Sequence, residues 1–295
     1  MAASTIPPTA IKDVRIGLWR RFQNSLAIFS AVLFTLIVLA PLAAILGYLL
    51  YKGIGSVNVA FLTQTPKPVG EAGGGMANAI VGSMMILGIA SLIGLPLGIG
   101  TGIYLAEFGY KKFGNVVRFT ADVLNGIPSI VIGITVYALV VVPQKHFSAL
   151  AGGIALGIMI VPTISRTTEE MLAMVPQSIR EAAWGLGIPH WRTTLSITLR
   201  SATAGVITGV MLAFARVAGE TAPLLFTAFG NQFWNLRVDQ PTAALPLQIF
   251  VYAISPFDDW HRQAWAGALV LIILIILTAA AVRLFAGRGV LKGSS

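Results

Sequence analysis

The sequence contains no cysteine. This absence excludes disulfide bonds, thiolate metal sites and thiol chemistry, and it is compatible with any cellular compartment. Charge is also scarce, since charged residues make up only 11% of the 295 residues, whereas a soluble domain carries about a quarter. Hydrophobic residues make up 56%, and the mean hydropathy is +0.82. This composition predicts an integral membrane protein.

The sequence also lacks the short motifs of nucleotide, metal and nucleophile chemistry. It has no GxxxxGK(S/T) phosphate loop, no HExxH pair, no cluster of metal-ligating side chains and no nucleophile elbow. Its three histidines, His146, His190 and His261, are scattered and are expected at the surface. We therefore expect no metal site, no cofactor and no covalent catalysis in this chain.

Long apolar runs dominate the sequence instead. Six of them are long enough to cross a bilayer, which takes about 20 residues: 25–50, 77–106, 119–142, 147–165, 201–222 and 264–285. The first is too long for the core of a signal peptide, about 7–15 residues, so we expect a retained membrane span. Pro96 in the second predicts a kink within one helix. A seventh run, 241–255, is too short to span and predicts a re-entrant or interfacial helix.

Lysine and arginine are distributed unevenly between alternate connecting segments. With the N-terminus inside, the inner segments hold 14 of the 20 cations, the outer segments hold five, and Arg216 lies within a span. The positive-inside rule therefore predicts an all-α protein with six transmembrane helices and both termini in the cytoplasm. Because topology accounts for the net charge of +9, we expect no nucleic-acid partner.

The inner segment 166–200 is long for a connection between membrane helices. Within it, Ser178 and Glu181 have the spacing of a capping box, which predicts the start of a short helix. Gly187 can end that helix in a left-handed conformation, and Pro189 prevents its continuation. Such a short helix has little core of its own, so it either docks onto another protein or only links two spans.

The same segment resembles the EAA loop of ABC-importer permeases, in which Glu-Ala-Ala is followed at fixed spacing by Gly and by Ile-x-Leu-Pro. The matching residues are Glu181, Ala182, Ala183, Gly187, Ile197 and Leu199, and Arg200 stands in place of the final proline. Ala182 and Ala183 are expected to form a small flat face. The resemblance implies that the short helix seats in a cleft of an ATPase subunit.

Four longer stretches resemble the PstA family of phosphate-importer permeases. They are 73–108, 125–134, 166–172 and 215–234, and the similarity extends over about residues 70–285. The resemblance implies the type I ABC importer permease fold (MetI-like) in the inner membrane of a bacterium. It also implies three partners: a homologous PstC-like permease, a PstB-like ATPase dimer that binds ATP and Mg, and a PstS-like phosphate-binding protein outside.

The predicted organisation has four regions. These are a cytoplasmic segment over 1–23, the first transmembrane helix and a periplasmic loop over 24–70, a permease core over 71–286, and a cytoplasmic tail over 287–295. The predicted function is that of a phosphate-importer permease subunit and not of an enzyme. A permease for another oxyanion, such as sulfate or molybdate, is the alternative, and a secondary transporter is a more distant one.

Two charged residues lie in the fifth apolar run. Arg216 is about 15 residues past Ser201, or roughly 22 Å along a helix, which places it beyond the membrane midplane toward the outside. Glu220 follows one turn later, so we expect an ion pair on one helix face, with Pro223 ending the helix. The pair either fixes helix packing only, or lines a path in which the Arg216 fork binds an oxyanion and Glu220 weakens that binding.

A second charged group, Arg166, Glu169 and Glu170, lies at the inner end of the fourth run. Its spacing of three and four residues predicts one helix face. The group is either an ordinary interfacial cluster or part of the transport path. The family resemblance implies the second role for Arg166 and Glu169, near the cytoplasmic mouth.

Overall fold

The computed structural model describes residues 17–71, 73–109 and 112–291. The predicted segments 1–23 and 287–295 lie partly outside these ranges. So do four of the cations assigned to the inner side, namely Lys12, Arg15, Lys111 and Lys292. The chain divides into two compact units, 1–48 and 49–295.

The described residues are helical and contain no strand. The helices are α1 (Leu18–Gly53), α2 (Val59–Thr63), α3 (Ala77–Phe108), α4 (Lys112–Gly126), α5 (Ser129–Val136), α6 (Val142–Gln144), α7 (Ala149–Ala173), α8 (Gln177–Gly185), α9 (His190–Thr193), α10 (Leu199–Ala218), α11 (Ala222–Thr227), α12 (Leu245–Ala253) and α13 (Asp258–Leu291). Two π-helical turns, Tyr137–Val141 and Thr194–Thr198, join α5 to α6 and α9 to α10. The all-α prediction is confirmed.

Five of these helical stretches are long and apolar enough to cross a membrane. They are Trp19–Ser56, Ala77–Phe108, Ala149–Ala173, His190–Ala218 and Asp258–Leu284. A sixth span exists if the two halves Lys112–Gly126 and Ser129–Gln144 are counted together, although they meet at 102°. The expected number of six is therefore reached only with this bent pair.

The third predicted span is not one straight helix. It breaks at Ile127 and Pro128, between α4 and α5. A proline lacks the N–H that a helix needs, and its ring pushes the preceding residue out of the helical region. Helix α4 therefore stops before Pro128, and Pro128 itself has an extended ψ of 136° as the residue before α5.

The packing of α3 against α7 forms the centre of the unit 49–295. Small residues recur every four positions on α3, and a Cβ at Gly94, Gly98 or Gly102 would lie within 3.1 Å of an α7 side chain. The absence of a side chain at these positions lets the two helices approach closely. As expected, α3 continues through Pro96 as one helix.

The short apolar run 241–255 forms α12, as its length predicts. This helix packs against α13 and α3, and its first turn is buried, with Leu245 and Leu247 at most 3% exposed. The backbone N–H of Leu245 donates to the Ser83 hydroxyl of α3 over 2.7 Å. We call the end of the unit that carries α8 and α9 the loop end, and the end that carries α12 the opposite end.

The described part of the unit 1–48 is a single helical stretch, the first part of α1. Its apolar side chains are exposed along its length, for example Phe34 at 65% and Val38 at 73%. An 18-residue window within the Trp19–Ser56 stretch has a mean hydropathy of 2.6, which fits a helix that has lipid as its solvent.

Candidate functional site

Arg216 and Glu220 do not lie on one continuous helix. Helix α10 ends at Ala218, Gly219 follows as its cap, and the Glu220 N–H bonds the Val217 carbonyl over 3.1 Å in a tighter turn. A continuous helix is blocked because the ring of Pro223 would clash with the carbonyl of Gly219, four residues earlier. The predicted helix end at Pro223 is therefore displaced: α10 already ends at Ala218, and Pro223 itself lies in the first turn of α11.

The predicted ion pair between these two residues is also absent. In the described part of the chain, neither Arg216 nor Glu220 has a salt-bridge partner within 4.0 Å. Arg216 is exposed on the surface of the chain, and Glu220 is half-buried. Their charges are therefore not compensated by any ion pair among the residues that the structure describes.

The position of Arg216 along the bundle follows from the contacts of its neighbour in sequence. The next residue, Val217, lines a small cavity together with Leu156 of α7. Leu156 lies in the first half of the 25-residue α7, which runs from the opposite end toward the loop end. Arg216 thus lies between the middle of the bundle and the opposite end.

The second predicted group is part of a larger set of charges. The Arg166 Nη1 and the Glu169 Oε2 are 3.2 Å apart, so these two residues do share a helix face. Glu169 also accepts a hydrogen bond of 2.6 Å from Arg118 Nε, and Arg166 Nε lies 3.3 Å from Asp122. We call these four residues of α4 and α7 the charge cluster. Glu170 is exposed and lies outside it.

Arg118 fastens the charge cluster to the end of α3. Its guanidinium donates to the carbonyls of Leu105 and Gly109 over 3.0 and 2.8 Å, and to the Asn115 side chain over 3.2 Å. The last carbonyls of a helix have no partner within the helix, so a cation at this position stabilises the helix end. In the sequence Arg118 is only one of the cations of the inner segments, although its i,i+4 spacing from Asp122 puts the two residues on one face of α4.

The predicted short helix exists as α8, but it starts differently. Pro176 is the residue before its first turn, and the structure shows no side-chain cap there. The capping box is therefore wrong, because the fixed φ of Pro176 starts the helix one residue before Ser178, which then lies inside it.

The end of α8 follows the prediction. Gly187 has a φ of +76°, and the N–H of Ile188 reaches back to the Ala183 carbonyl over 3.1 Å. This is the left-handed glycine ending expected from the sequence.

The predicted flat face of Ala182 and Ala183 is divided between two sides of α8. Ala183 is only 3% exposed and faces the bundle, whereas Ala182 faces outward with Glu181 and Gly187. Consecutive residues of a helix point about 100° apart, so two neighbouring alanines cannot share a narrow face. Leu186, 81% exposed, adds an apolar side chain to the outward surface.

The opposite end carries an exposed ion pair in the loop between α11 and α12. Arg237 Nη2 and Asp239 Oδ2 are 2.7 Å apart. This hydrogen bond lowers the pKa of the Asp239 carboxyl below its ordinary value, because it favours the ionised form. Asp239 therefore stays charged at neutral pH.

No group of three or more His, Cys, Asp or Glu side chains in the described ranges could hold a metal ion. The three histidines lie in different surroundings. His146 is exposed, whereas His190 contacts Glu107 over 3.7 Å and His261 bonds the Ser255 carbonyl over 2.6 Å. The chemistry of the described site is thus that of arginines and carboxylates.

Solved structures share the fold of this chain. A chain of a bacterial alginate ABC transporter matches with a TM-score of 0.62 at 13% identity, over 91% of this chain and 95% of its own length. A chain of the methionine ABC transporter MetNI, in an inward-facing conformation, matches with a TM-score of 0.56 at 16% identity, over 75% of this chain and 98% of its own. The expected type I ABC importer permease fold is confirmed.

Sequence comparison identifies the family. Residues 98–288 match the family described as binding-protein-dependent transport system inner membrane component. The phosphate transport system permease protein PstA of Yersinia pestis is 48% identical over 260 residues, which is 88% of each chain. The chain is thus a multi-pass membrane protein that belongs to the binding-protein-dependent transport system inner membrane component family and, within it, to the PstA permeases.

Proposed function

We propose that this chain is a permease subunit of an ATP-driven phosphate importer in the inner membrane of a bacterium. It forms one half of the translocation pore, and a homologous permease forms the other half. The observation that carries the proposal is Arg216, an exposed arginine without a partner in the described chain, at the end of an apolar spanning helix.

Lipid is an unsuitable neighbour for this guanidinium. A charged side chain at the centre of a membrane helix costs about 2.5–3.5 kcal/mol on insertion scales, so such residues face water or protein. Because Arg216 lies on the outer surface of the chain, the polar neighbour must come from outside the chain. A pore between two homologous permeases provides such a polar environment.

Phosphate suits an arginine because the planar guanidinium can donate two parallel hydrogen bonds to it. Glu220 follows closely in the chain and is half-buried. Its negative charge weakens the attraction of Arg216 for an anion, which permits release. We assign Arg216 to an early contact of the incoming anion and Glu220 to the limit on its affinity.

The charge cluster provides a second position, closer to the loop end. Arg166 has a side chain that is 36% exposed, and its fork is already occupied by Asp122 and Glu169. An anion must displace one of these carboxylates to bind Arg166, so its stay there is short. We therefore place Arg166 and Glu169 near the cytoplasmic mouth of the path.

The outward surface of α8 couples transport to ATP. Glu181 and Ala182 of α8, with Leu186 and Gly187 just after its end, face away from the bundle, and we call these four residues the docking surface. Helix α8 is too short to have a core of its own. We propose that the docking surface seats in a cleft of an ATPase subunit, whose dimer binds ATP and Mg. Closure of the ATPase dimer then moves α8 and the membrane helices as rigid bodies, while an external binding protein delivers phosphate.

Replacing Arg216 with Gln in the assembled complex tests the transport path. We expect loss of phosphate uptake into proteoliposomes and loss of phosphate-stimulated ATPase activity, with partial retention in Arg216→Lys, which keeps the charge but not the fork. Arg262→Gln is the control, because Arg262 is exposed and its ion pair in the described residues is with Asp259, one turn earlier on α13. Unchanged uptake in Arg216→Gln would remove this residue from the path.

The substrate is tested with the binding protein that purifies with the complex. Uptake of phosphate, but not of sulfate or molybdate, is expected. Preferential uptake of sulfate or molybdate would show that this oxyanion, and not phosphate, is the substrate, and would leave the rest of the proposal unchanged.

Dependence on ATP separates an ABC importer from a secondary transporter. We expect Glu181→Lys to reverse the charge of the docking surface and to abolish uptake while the two permeases still assemble. Uptake that persists in this variant and follows a proton gradient would identify a secondary transporter.

A further inference from the structure

Arg180 of α8 points toward the bundle and away from the docking surface. The residue is 8% exposed, which is unusual for a side chain whose charge cannot be neutralised. Its Nη2 donates to the carbonyl of Leu172, near the end of α7, over 2.7 Å. The same nitrogen lies 3.3 Å from Glu107 Oε1, in the last turn of α3.

Glu107 has a buried side chain that is 3% exposed. A buried carboxylate is costly unless a cation or several donors compensate it. Arg180 lies against one oxygen of this carboxylate, and the ring of His190 of α9 lies 3.7 Å from the other oxygen. Glu107 thus contacts both short helices of the loop.

Aromatic contacts also join the end of α3 to α8 and α9, and we call this contact region the junction. The His190 ring is stacked on Trp184 of α8 with centroids 5.5 Å apart, and it contacts Phe108 of α3 at 5.3 Å. The end of α3, α8 and α9 are therefore joined by both charge and ring contacts.

The position of this junction links the docking surface to the charge cluster. Helices α3 and α7 pack closely at Gly102, where a Cβ would lie 2.5 Å from Thr168 Cβ, so they move together. Leu172, which accepts the bond from Arg180, is one turn beyond Glu169 on α7. A displacement of α8 is thus transferred through Arg180 to the helix pair that carries Arg166 and Glu169.

We infer that the Arg180–Glu107 pair is the joint through which movement of the docking helix reaches the transport path. Arg180 and Glu107 are positioning residues, since neither lies on the proposed path. The inference rests on the proposed function, because it specifies how that importer couples ATP hydrolysis to transport. It predicts that loss of the joint separates ATPase activity from phosphate import.

The test is the number of phosphate ions imported per ATP hydrolysed in proteoliposomes containing the whole complex. Arg180→Gln is expected to lower this ratio about tenfold, while ATP hydrolysis continues. Arg180→Lys should restore much of the ratio, since the ammonium can still reach Glu107. Glu107→Gln, which keeps the size of the side chain, should lower the ratio as well. Arg262→Gln should leave it unchanged.

A purely structural role predicts a different result. Arg180→Gln and Glu107→Gln would then reduce the yield of assembled complex, but uptake and ATP hydrolysis per complex would fall together. An unchanged ratio in both variants, measured on equal amounts of complex, overturns the inference. The proposed function fails separately, if the wild-type complex imports no phosphate when supplied with ATP and the binding protein.

Discussion

The charge cluster and the Arg216 site both contain arginine, but they differ in whether their charges have partners in the described residues. In the charge cluster, each member of Arg118, Asp122, Arg166 and Glu169 has a partner of opposite charge within 3.3 Å. At the other site, Arg216 is exposed and has no such partner in the described residues.

This difference separates two uses of charge in a membrane protein. The charge cluster is satisfied by the chain itself, and Arg118 fixes the position of Glu169 by binding the end of α3. Arg216 depends on water, on a passing anion or on another subunit. We therefore expect loss of the charge cluster to lower the stability of the chain, and loss of Arg216 to leave that stability unchanged, and the two effects can be measured separately.

The largest expected effect on stability comes from breaking the charge cluster at Glu169. Glu169→Gln removes the carboxylate that lies between Arg118 and Arg166, and its side chain is only 12% exposed. Removing one partner of a buried pair costs about 3–5 kcal/mol, and we expect the lower end because both arginines are partly exposed. The measurement is the thermal unfolding midpoint of the solubilised complex.

Asp122→Asn is the matched control within the same cluster. Asp122 has a side chain that is 56% exposed, and exposed ion pairs contribute about 0–1 kcal/mol. If Glu169→Gln unfolds at the same temperature as Asp122→Asn, the buried carboxylate of Glu169 stabilises the chain no more than the exposed one of Asp122.

The second largest effect is expected where α3 meets α7. Gly102→Ala places a Cβ 2.5 Å from Thr168 Cβ and 2.7 Å from the Ser165 carbonyl, which forces the helices apart at the level of the charge cluster. Overpacking of this kind costs about 1–3 kcal/mol. Gly100→Ala is the control, since a Cβ there meets no atom within 4 Å. Equal unfolding midpoints for the two variants would show that the close approach is not needed.

Much of the architecture could be predicted because it depends on local signals. Apolar runs gave the spanning helices, and Gly187 marked the end of α8 through its special backbone conformation. The break at Pro128 also had a local signal, since a proline follows Gly126 and Ile127. The length of the apolar run hid it, because hydropathy does not distinguish one span from two angled halves.

The charge sites were less predictable because they depend on contacts between distant segments. Arg118 and Glu169 are 51 residues apart in sequence, and no spacing rule links them. The pairing of Arg216 with Glu220 was wrong for a different reason. Helical spacing was extended across Gly219, where the chain leaves the helix.

A smaller effect on stability is expected at Gly187, just after the end of α8 on the docking surface. Gly187→Ala introduces a side chain at a φ of +76° but meets no atom within 4 Å, so the cost is that of the left-handed backbone, about 1–2 kcal/mol. We expect a modest loss of stability and a larger loss of coupled ATP hydrolysis, because the helix end is displaced on the docking surface. Gly185→Ala, in an ordinary helical position with open space around it, should change neither property.

The smallest effect on stability is expected at Arg216, where the comparison between the two sites is most direct. Arg216→Gln breaks no ion pair of the described chain, and surface substitutions usually change stability by less than about 0.5 kcal/mol. The isolated chain should therefore unfold like the wild type, in contrast to Glu169→Gln. If Arg216 instead pairs with an acidic residue of the second permease, the same substitution will leave the isolated chain unchanged but destabilise the assembled complex. Destabilisation of the isolated chain itself would mean that Arg216 is a structural residue, and the distinction between the two sites would be lost.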